Sequence, residues 1–369
     1  MSEPVRVTPV DDFVVLAGAL PSPGLSDWLR RRDERSAAVL NEPVNFHPEG
    51  LLKGTFIYAH PPDYRGRPTL AYAVADWRRL LRECAELGLD TVIWQASAWM
   101  ELRECYYPSE VLSSYRQWDV VGPLLEAARE ERFQVWLGTV GILRGDESLG
   151  VNDQEPDKAL EAADRELACY RELLQRYGGG FHGYYLSSET YYHPQMPVHR
   201  FQHYRRLYER VTHGVKALTP HLPILASPGT APRDYQAEAA ERLRECFSDA
   251  RIDVVAPMDC IGQGNDLASL PAGLELWART CRAIGAEFWV NCEAFRVTDY
   301  QGPVIQIEPA DPRRFSRQLT AAACAGARGL VTWEAPHFMD PGGTEQARRL
   351  RQGYLDYRRK LPYWSPASM

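Results

Sequence analysis

The chain has 369 residues, of which 45% are hydrophobic and 25% charged, and its formal net charge is −7. This balance suits a soluble globular enzyme and leaves no basic footprint for nucleic acid or an anionic membrane surface. Its eight cysteines are dispersed and form no CxxC pair, which argues against a disulfide framework and for a reducing, cytoplasmic setting.

Residues 1–50 read as an N-terminal extension. MSEPVRVTPVDD lacks the basic start of a secretory leader, and the following FVVLAGAL is too short for its apolar core. No run approaches the roughly 20 apolar residues that a membrane-spanning helix needs.

From about residue 51 the pattern changes. Eight short apolar runs follow in order: GTFIYA (54–59), DTVIWQA (90–96), FQVWLGTV (133–140), FHGYYLSSE (181–189), LPILAS (222–227), IDVVAPMD (252–259), EFWVNCE (287–293) and GLVTWE (329–334). Longer amphipathic stretches separate them. Between the first two runs, Trp77, Leu80, Leu81, Cys84 and Leu87 recur at helical steps, and Gly88 follows as a C-terminal stop. Ahead of the last run, Asp311 and Pro312 read as N-cap and first helical residue, with Phe315, Leu319, Ala322 and Ala323 on the inward stripe. Eight strand–helix units in one chain predict an α/β fold, a (β/α)8 TIM barrel over residues 51–360, followed by a C-terminal tail, 361–369.

In such a barrel the strand ends converge on one mouth, where chemistry is done. Here they offer Tyr58 and His60; Gln95, Ser97 and Trp99; Thr139; Glu189 with Tyr191 and Tyr192; Ser227; Asp259 and Gln263; Asn291 and Glu293; and Trp333 with Glu334. The set is rich in carboxylates, amides and aromatic rings and poor in positive charge. That chemistry suits a neutral polyhydroxy ring, with its apolar C–H faces and hydroxyl edges, better than a phosphate or carboxylate. Glu189 and Glu293 close the fourth and seventh runs. Glycosidic cleavage by retention uses two carboxyl groups about 5 Å apart across the scissile bond.

On these residues the chain resembles the clan of retaining (β/α)8 glycoside hydrolases with catalytic glutamates after strands four and seven. GTFIYA, DTVIWQ and IDVVAPMDCIGQG are most similar to a bacterial, DUF4434-like family of glycosidase-like barrels. The resemblance covers roughly residues 50–340. It implies Glu189 as acid/base, Glu293 as nucleophile and Trp333 as the floor of a sugar subsite. It also implies double displacement on a carbohydrate or glycoside, with no metal and no organic cofactor. Ser188 departs from the pattern, because an asparagine commonly precedes the acid/base and contacts the sugar 2-hydroxyl.

Other readings of the same residues stand beside this one. The two glutamates could cap helices or pair with Arg200 and Arg296, and Glu334 is a rival nucleophile. The barrel could also bind a glycan without cleaving it. His199 and His203, at i and i+4, read as a surface pair, since two histidines lack the third ligand a metal requires.

Overall fold

The computed structural model describes residues 37–40, 42–44, 46–59, 68–192, 197–230, 237–299 and 306–361. Most of the extension, nearly all of the tail, and His60 lie outside them.

Eight parallel strands close into a barrel: β1 (Leu52–Ile57), β2 (Thr91–Trp94), β3 (Gln134–Gly138), β4 (Gly183–Tyr185), β5 (Ile224–Ala226), β6 (Val254–Val255), β7 (Glu287–Glu293) and β8 (Gly329–Trp333). Each pairs with its sequence neighbours, and β8 returns to β1. Each strand is followed by one long helix: α1 (Val74–Glu86), α2 (Val121–Glu131), α3 (Pro156–Tyr177), α4 (Val198–Leu218), α5 (Ala237–Phe247), α6 (Leu270–Ile284), α7 (Pro312–Cys324) and α8 (Glu345–Arg359). All eight sequence runs become barrel strands, and the fold is the (β/α)8 barrel. Several strands are shorter than their apolar runs. In β6 the run extends to residue 259, but Pro257 has no N–H to donate, and pairing beyond Val255 shrinks to an isolated Met258–Asn291 bridge.

The helices form where periodicity places them. In α1, Trp77, Leu80, Leu81 and Cys84 are buried, and Gly88 takes φ +78 just past the end, where a residue bearing Cβ would be strained. In α7, Asp311 Oδ1 accepts from the backbone N–H of Arg313 (2.9 Å) and Arg314 (3.1 Å), and Pro312 occupies the first turn.

Two apolar layers hold the fold together. A small inner layer fills the barrel with Phe56, Ile93, Trp136, Tyr185, Leu225, Val254, Trp289 and Val331, one side chain per strand. Trp136 and Trp289 meet edge to face at 5.8 Å across its centre. A larger layer, including Val92, Leu137, Tyr184, Val290, Cys292 and Leu330, lies between strands and helices. Because strand side chains alternate, the inner layer sets the parity for each strand. Counting two residues onward from it gives Tyr58, Gln95, Gly138, Ser187, Ser227, Ala256, Asn291 and Trp333. Two more give Glu293, the last residue of β7, and, past the end of β4, Glu189.

Where the extension is described, it lies on the outside of α7 and α8. Phe46 packs on Tyr357 at 5.4 Å, and Arg317 donates to the Glu42 carbonyl. Among the described residues no helix is long and apolar enough to cross a membrane.

Candidate functional site

Glu189 lies four residues beyond the inner-layer Tyr185. Gln95 Nε2, from the end of β2, donates to its Oε1 at 2.7 Å, and the Tyr185 hydroxyl donates to the same oxygen. The Tyr191 hydroxyl donates to Oε2 at 3.1 Å. All three donors are neutral, and the glutamate is partly exposed. Burial, followed by the Glu189 charge, pushes both phenols well above their ordinary pKa, which keeps them protonated as donors. Behind the carboxylate the chain is pinned from α4: Tyr208 donates to the Ser188 carbonyl (2.6 Å), and Arg200 donates to the Tyr191 carbonyl (2.7 Å).

Glu293, the last residue of β7, has a different setting. It is 2% exposed. Gln263 holds both its oxygens, Nε2 donating to Oε1 at 2.6 Å and the backbone N–H to Oε2 at 3.0 Å. The loop carrying Gln263 approaches because residue 262 is glycine. A Cβ there would stand 2.3 Å from the Phe295 carbonyl and 2.9 Å from Glu293 Oε2. Asp259, after β6, is fully enclosed, and its Oδ1 accepts from the Glu293 N–H at 3.3 Å. Arg314, buried on α7, donates to the carbonyls of Glu293 (3.1 Å) and Phe295 (2.6 Å).

Burial and then the Asp259 charge raise the Glu293 carboxyl above the ordinary range, against the lowering by Gln263 and Arg314. Asp259 is itself raised, chiefly by burial. Arg314 is lowered by burial to about 10, which leaves it charged at neutral pH.

An aromatic wall occupies the β8–β1–β2 side. Trp333 Nε1 donates to the Tyr58 hydroxyl (2.8 Å), Tyr58 stacks on Trp99 (6.1 Å, 13° between planes), and Phe295 meets Trp333 at 4.9 Å. Trp333 and Tyr58 are partly exposed and Trp99 is buried. Asn291, on the inward parity of β7, donates to Ser227 Oγ at 3.2 Å, and its buried Oδ1 has no partner among the described residues. Gln95 Oε1 is likewise buried and unpaired. Glu334 is buried at the N-cap of a short helix, Ala335–Phe338, after a cis Trp333–Glu334 peptide.

The strand-end candidates thus divide. Glu189, Gln95 and Tyr191 converge, as do Glu293 and Gln263, and Tyr58, Trp99 and Trp333 form the wall. Asp259 stands behind Glu293. Thr139 turns away from the mouth to contact Glu166 (3.1 Å) and the Tyr184 hydroxyl (2.9 Å) in the outer layer. Both deviations follow from parity: Trp136 and Gly138 face inward, so Thr139 faces out, and Val254 does the same for Asp259.

The competing arginines have other partners, Asp146 for Arg200 (2.6 Å) and Glu308 for Arg296 (3.0 Å). The expectation of a surface histidine pair is corrected, since His203 is 4% exposed and its Nδ1 contacts the His199 carbonyl at 2.9 Å. No group of three His, Cys, Asp or Glu side chains able to hold a metal occurs among the described residues.

Sequence reasoning passed over Arg314 and Gln318. They lie at i and i+4 on α7, each one residue before a buried stripe position, Phe315 and Leu319. Polar residues that widen an apolar stripe were the available signal.

Solved structures share this architecture. A candidate alpha-L-fucosidase from Bacteroides thetaiotaomicron aligns with a TM-score of 0.67 at 21% identity, covering 86% of this chain and 98% of its own. The beta-glucosidase of Thermotoga maritima aligns at 0.52 and 12% identity, over 85% of this chain and 98% of that one. An exo-beta-1,4-mannosidase from Opitutaceae bacterium strain TAV5 aligns at 0.52 and 14% identity, over 87% and 63%. At these identities the likeness establishes the fold. No curated protein sequence matches the chain. The family model described as a domain of unknown function, DUF4434, matches residues 52–345, from the first residue of β1 to the first of α8. The chain therefore belongs to the DUF4434 family.

Proposed function

We propose that this barrel is a glycoside hydrolase that cleaves a neutral glycoside by retention. The observation that carries the reading is the pair Glu189 and Glu293, both on the inward parity of their strands and in opposite surroundings. Double displacement asks two carboxyl groups to differ, one giving and taking a proton and the other attacking carbon. Glu189, partly exposed among neutral donors, is the proton carrier in this scheme. Glu293, fixed at both oxygens by Gln263, is the nucleophile, and it attacks in its ionised form, which its raised pKa confines to the less acidic part of the pH range.

In the first step a Glu293 oxygen bonds to the anomeric carbon while the glycosidic C–O bond breaks and Glu189 supplies the proton to the departing oxygen. In the second, water attacks the same carbon and the ester bond breaks, its electron pair returning to Glu293, while Glu189 takes the water proton. Trp333, Tyr58 and Trp99 would carry the apolar face of the ring. The free acceptors Gln95 Oε1 and Asn291 Oδ1 suit sugar hydroxyls. We assign Tyr191, Glu334 and His60 to the same substrate contacts. The glucosidase, mannosidase and candidate fucosidase neighbours act on neutral sugars by their descriptions, in keeping with the uncharged wall. We also place the enzyme in the cytoplasm, on its dispersed cysteines.

A second reading, a glycan-binding barrel without turnover, draws on the double engagement of Glu293 and on Ser188. A mechanism-based covalent glycoside inhibitor separates the two. Peptide mass mapping after treatment is expected to find the label on Glu293, with Glu293→Gln unlabelled. A panel of such inhibitors that binds, protects the fold from melting and never labels Glu293 would favour the second reading.

A further inference from the structure

Asp259 lies enclosed behind Glu293. Its carboxylate is 0% exposed, yet it is tied to Glu293 from three sides. Oδ1 accepts from the backbone N–H of Glu293 (3.3 Å) and of Ile261 (3.2 Å), the latter leading into the loop that carries Gln263. Oδ2 accepts from Gln318 Nε2 at 2.6 Å, and that same amide donates to the Glu293 carbonyl at 3.2 Å. A single side chain therefore joins the end of β7, the loop after β6 and helix α7.

We propose that Asp259, anchored by Gln318, is a positioning residue for Glu293, and that its enclosed negative charge makes the Glu293 carboxylate a stronger nucleophile and a poorer leaving group. The proposal rests on the nucleophile reading given above. Two like charges enclosed in the same low-dielectric region raise each other's energy in the ionised form. Bonding to carbon relieves Glu293 of its charge, so the first displacement gains from Asp259. Release of the sugar restores the charge, so the second displacement is slowed by it.

Among the described residues, the other charged groups on this side include Arg314 on α7, Asp311 at its N-cap, and Arg296 beyond β7 with its partner Glu308. Glu334 stands at the end of the adjoining β8 and Glu189 across the mouth. Burial holds the Cys292 thiol neutral. Arg314 keeps the pair from being prohibitive, since its guanidinium opposes both carboxylates.

The test is Asp259→Asn, with Asp259→Ser as a second charge-free variant should the first not fold, read by transient kinetics on activated aryl glycosides. Above the acid limb, where Glu293 is ionised in both proteins, the expected result is a loss of up to about tenfold in the first displacement per unit of lost basicity, with the second displacement unchanged or faster, hence a smaller burst. The acid limb of kcat/KM, which reports ionisation of the nucleophile in free enzyme, should move to lower pH by about one unit. Equal losses in both displacements with an unmoved acid limb would reduce Asp259 to a packing residue and overturn the proposal.

An arm that needs no turnover uses infrared titration of the protonated carboxyl band, assigned to Glu293 by its disappearance in Glu293→Gln. The band midpoint should fall in Asp259→Asn, and an unchanged midpoint would refute the coupling. If no glycoside is cleaved but the midpoint falls, the hydrolase reading fails while the coupling of Asp259 to Glu293 holds.

Discussion

The two sides of the barrel mouth treat the same functional group in opposite ways. On the β4 side, Glu189 is partly exposed, and its partners among the described residues include a neutral amide and two neutral phenols. On the β6–β7 side, Glu293 is enclosed with a second carboxylate behind it and an arginine behind both. Water screens the first group and lets it exchange protons, whereas the second must have its charge managed by fixed neighbours. The barrel achieves this difference with α7, whose Gln318 donates to the Asp259 carboxylate and whose Arg314 brings a positive charge near both carboxylates, while Tyr208 and Arg200 of α4 hold the backbone on either side of Glu189. Identical side chains thereby acquire distinct chemistry from the helix that backs their strand.

The largest test of this contrast is removal of each carboxylate. Glu189→Gln is expected to lower turnover by about 10²–10⁴-fold, the usual worth of a general acid–base group, with less loss for substrates whose leaving group needs no proton. Glu293→Gln should lose more, for all substrates alike, in steady-state assays. The two variants should also differ in stability. Glu293 has a raised pKa in the folded state, so the stability present below the ordinary carboxylate range is lost as pH climbs toward its folded value. Glu293→Gln should therefore raise Tm above wild type at pH 8.5 and match it at pH 4. Equal Tm at both pH values would remove the electrostatic half of the contrast.

Next in size is Arg314→Met. Leaving two enclosed carboxylates without their cation should cost about 3–5 kcal/mol, most at alkaline pH where both are ionised. Denaturant unfolding at pH 5 and pH 8 measures it. A loss independent of pH would mean that the backbone contacts of Arg314 matter and its charge does not.

The smallest expected effect is on the other side. Tyr185→Phe removes one of the three neutral donors to Glu189 and should cost about 1.5–3 kcal/mol, the usual worth of a hydrogen bond to a charged group. Its signature is a basic limb of the pH–rate profile moved upward, because the donor that stabilises ionised Glu189 is gone. A basic limb left in place would show that Tyr185 serves only to fill the barrel.

Much of this was legible in the chain. The eight runs, the C-terminal stop at Gly88 and the Asp311–Pro312 start are written in local chemistry, and the barrel assembles them as expected. Parity was also present, though it takes the inner layer to read it. Once Trp136, Tyr185, Val254 and Trp289 are known to face inward, alternation turns Glu189 and Glu293 to the mouth and Asp259 and Thr139 away from it. What the runs do not reveal is which helix residues reach under a strand end. Arg314 and Gln318 resemble ordinary polar positions beside an apolar stripe, and only packing of α7 against β7 gives them their partners.

Local sequence by itself determined the strand–helix order, the caps, and the two glutamates at the ends of the fourth and seventh strands, because propensity and periodicity act over a few residues. The tertiary structure decided how those glutamates differ. Charge burial depends on neighbours far away in sequence: Gln263, 30 residues before Glu293, and Gln318, 25 residues after it. No local pattern encodes a dielectric environment, which is why two similar carboxylates could be located from the chain and distinguished only in the fold.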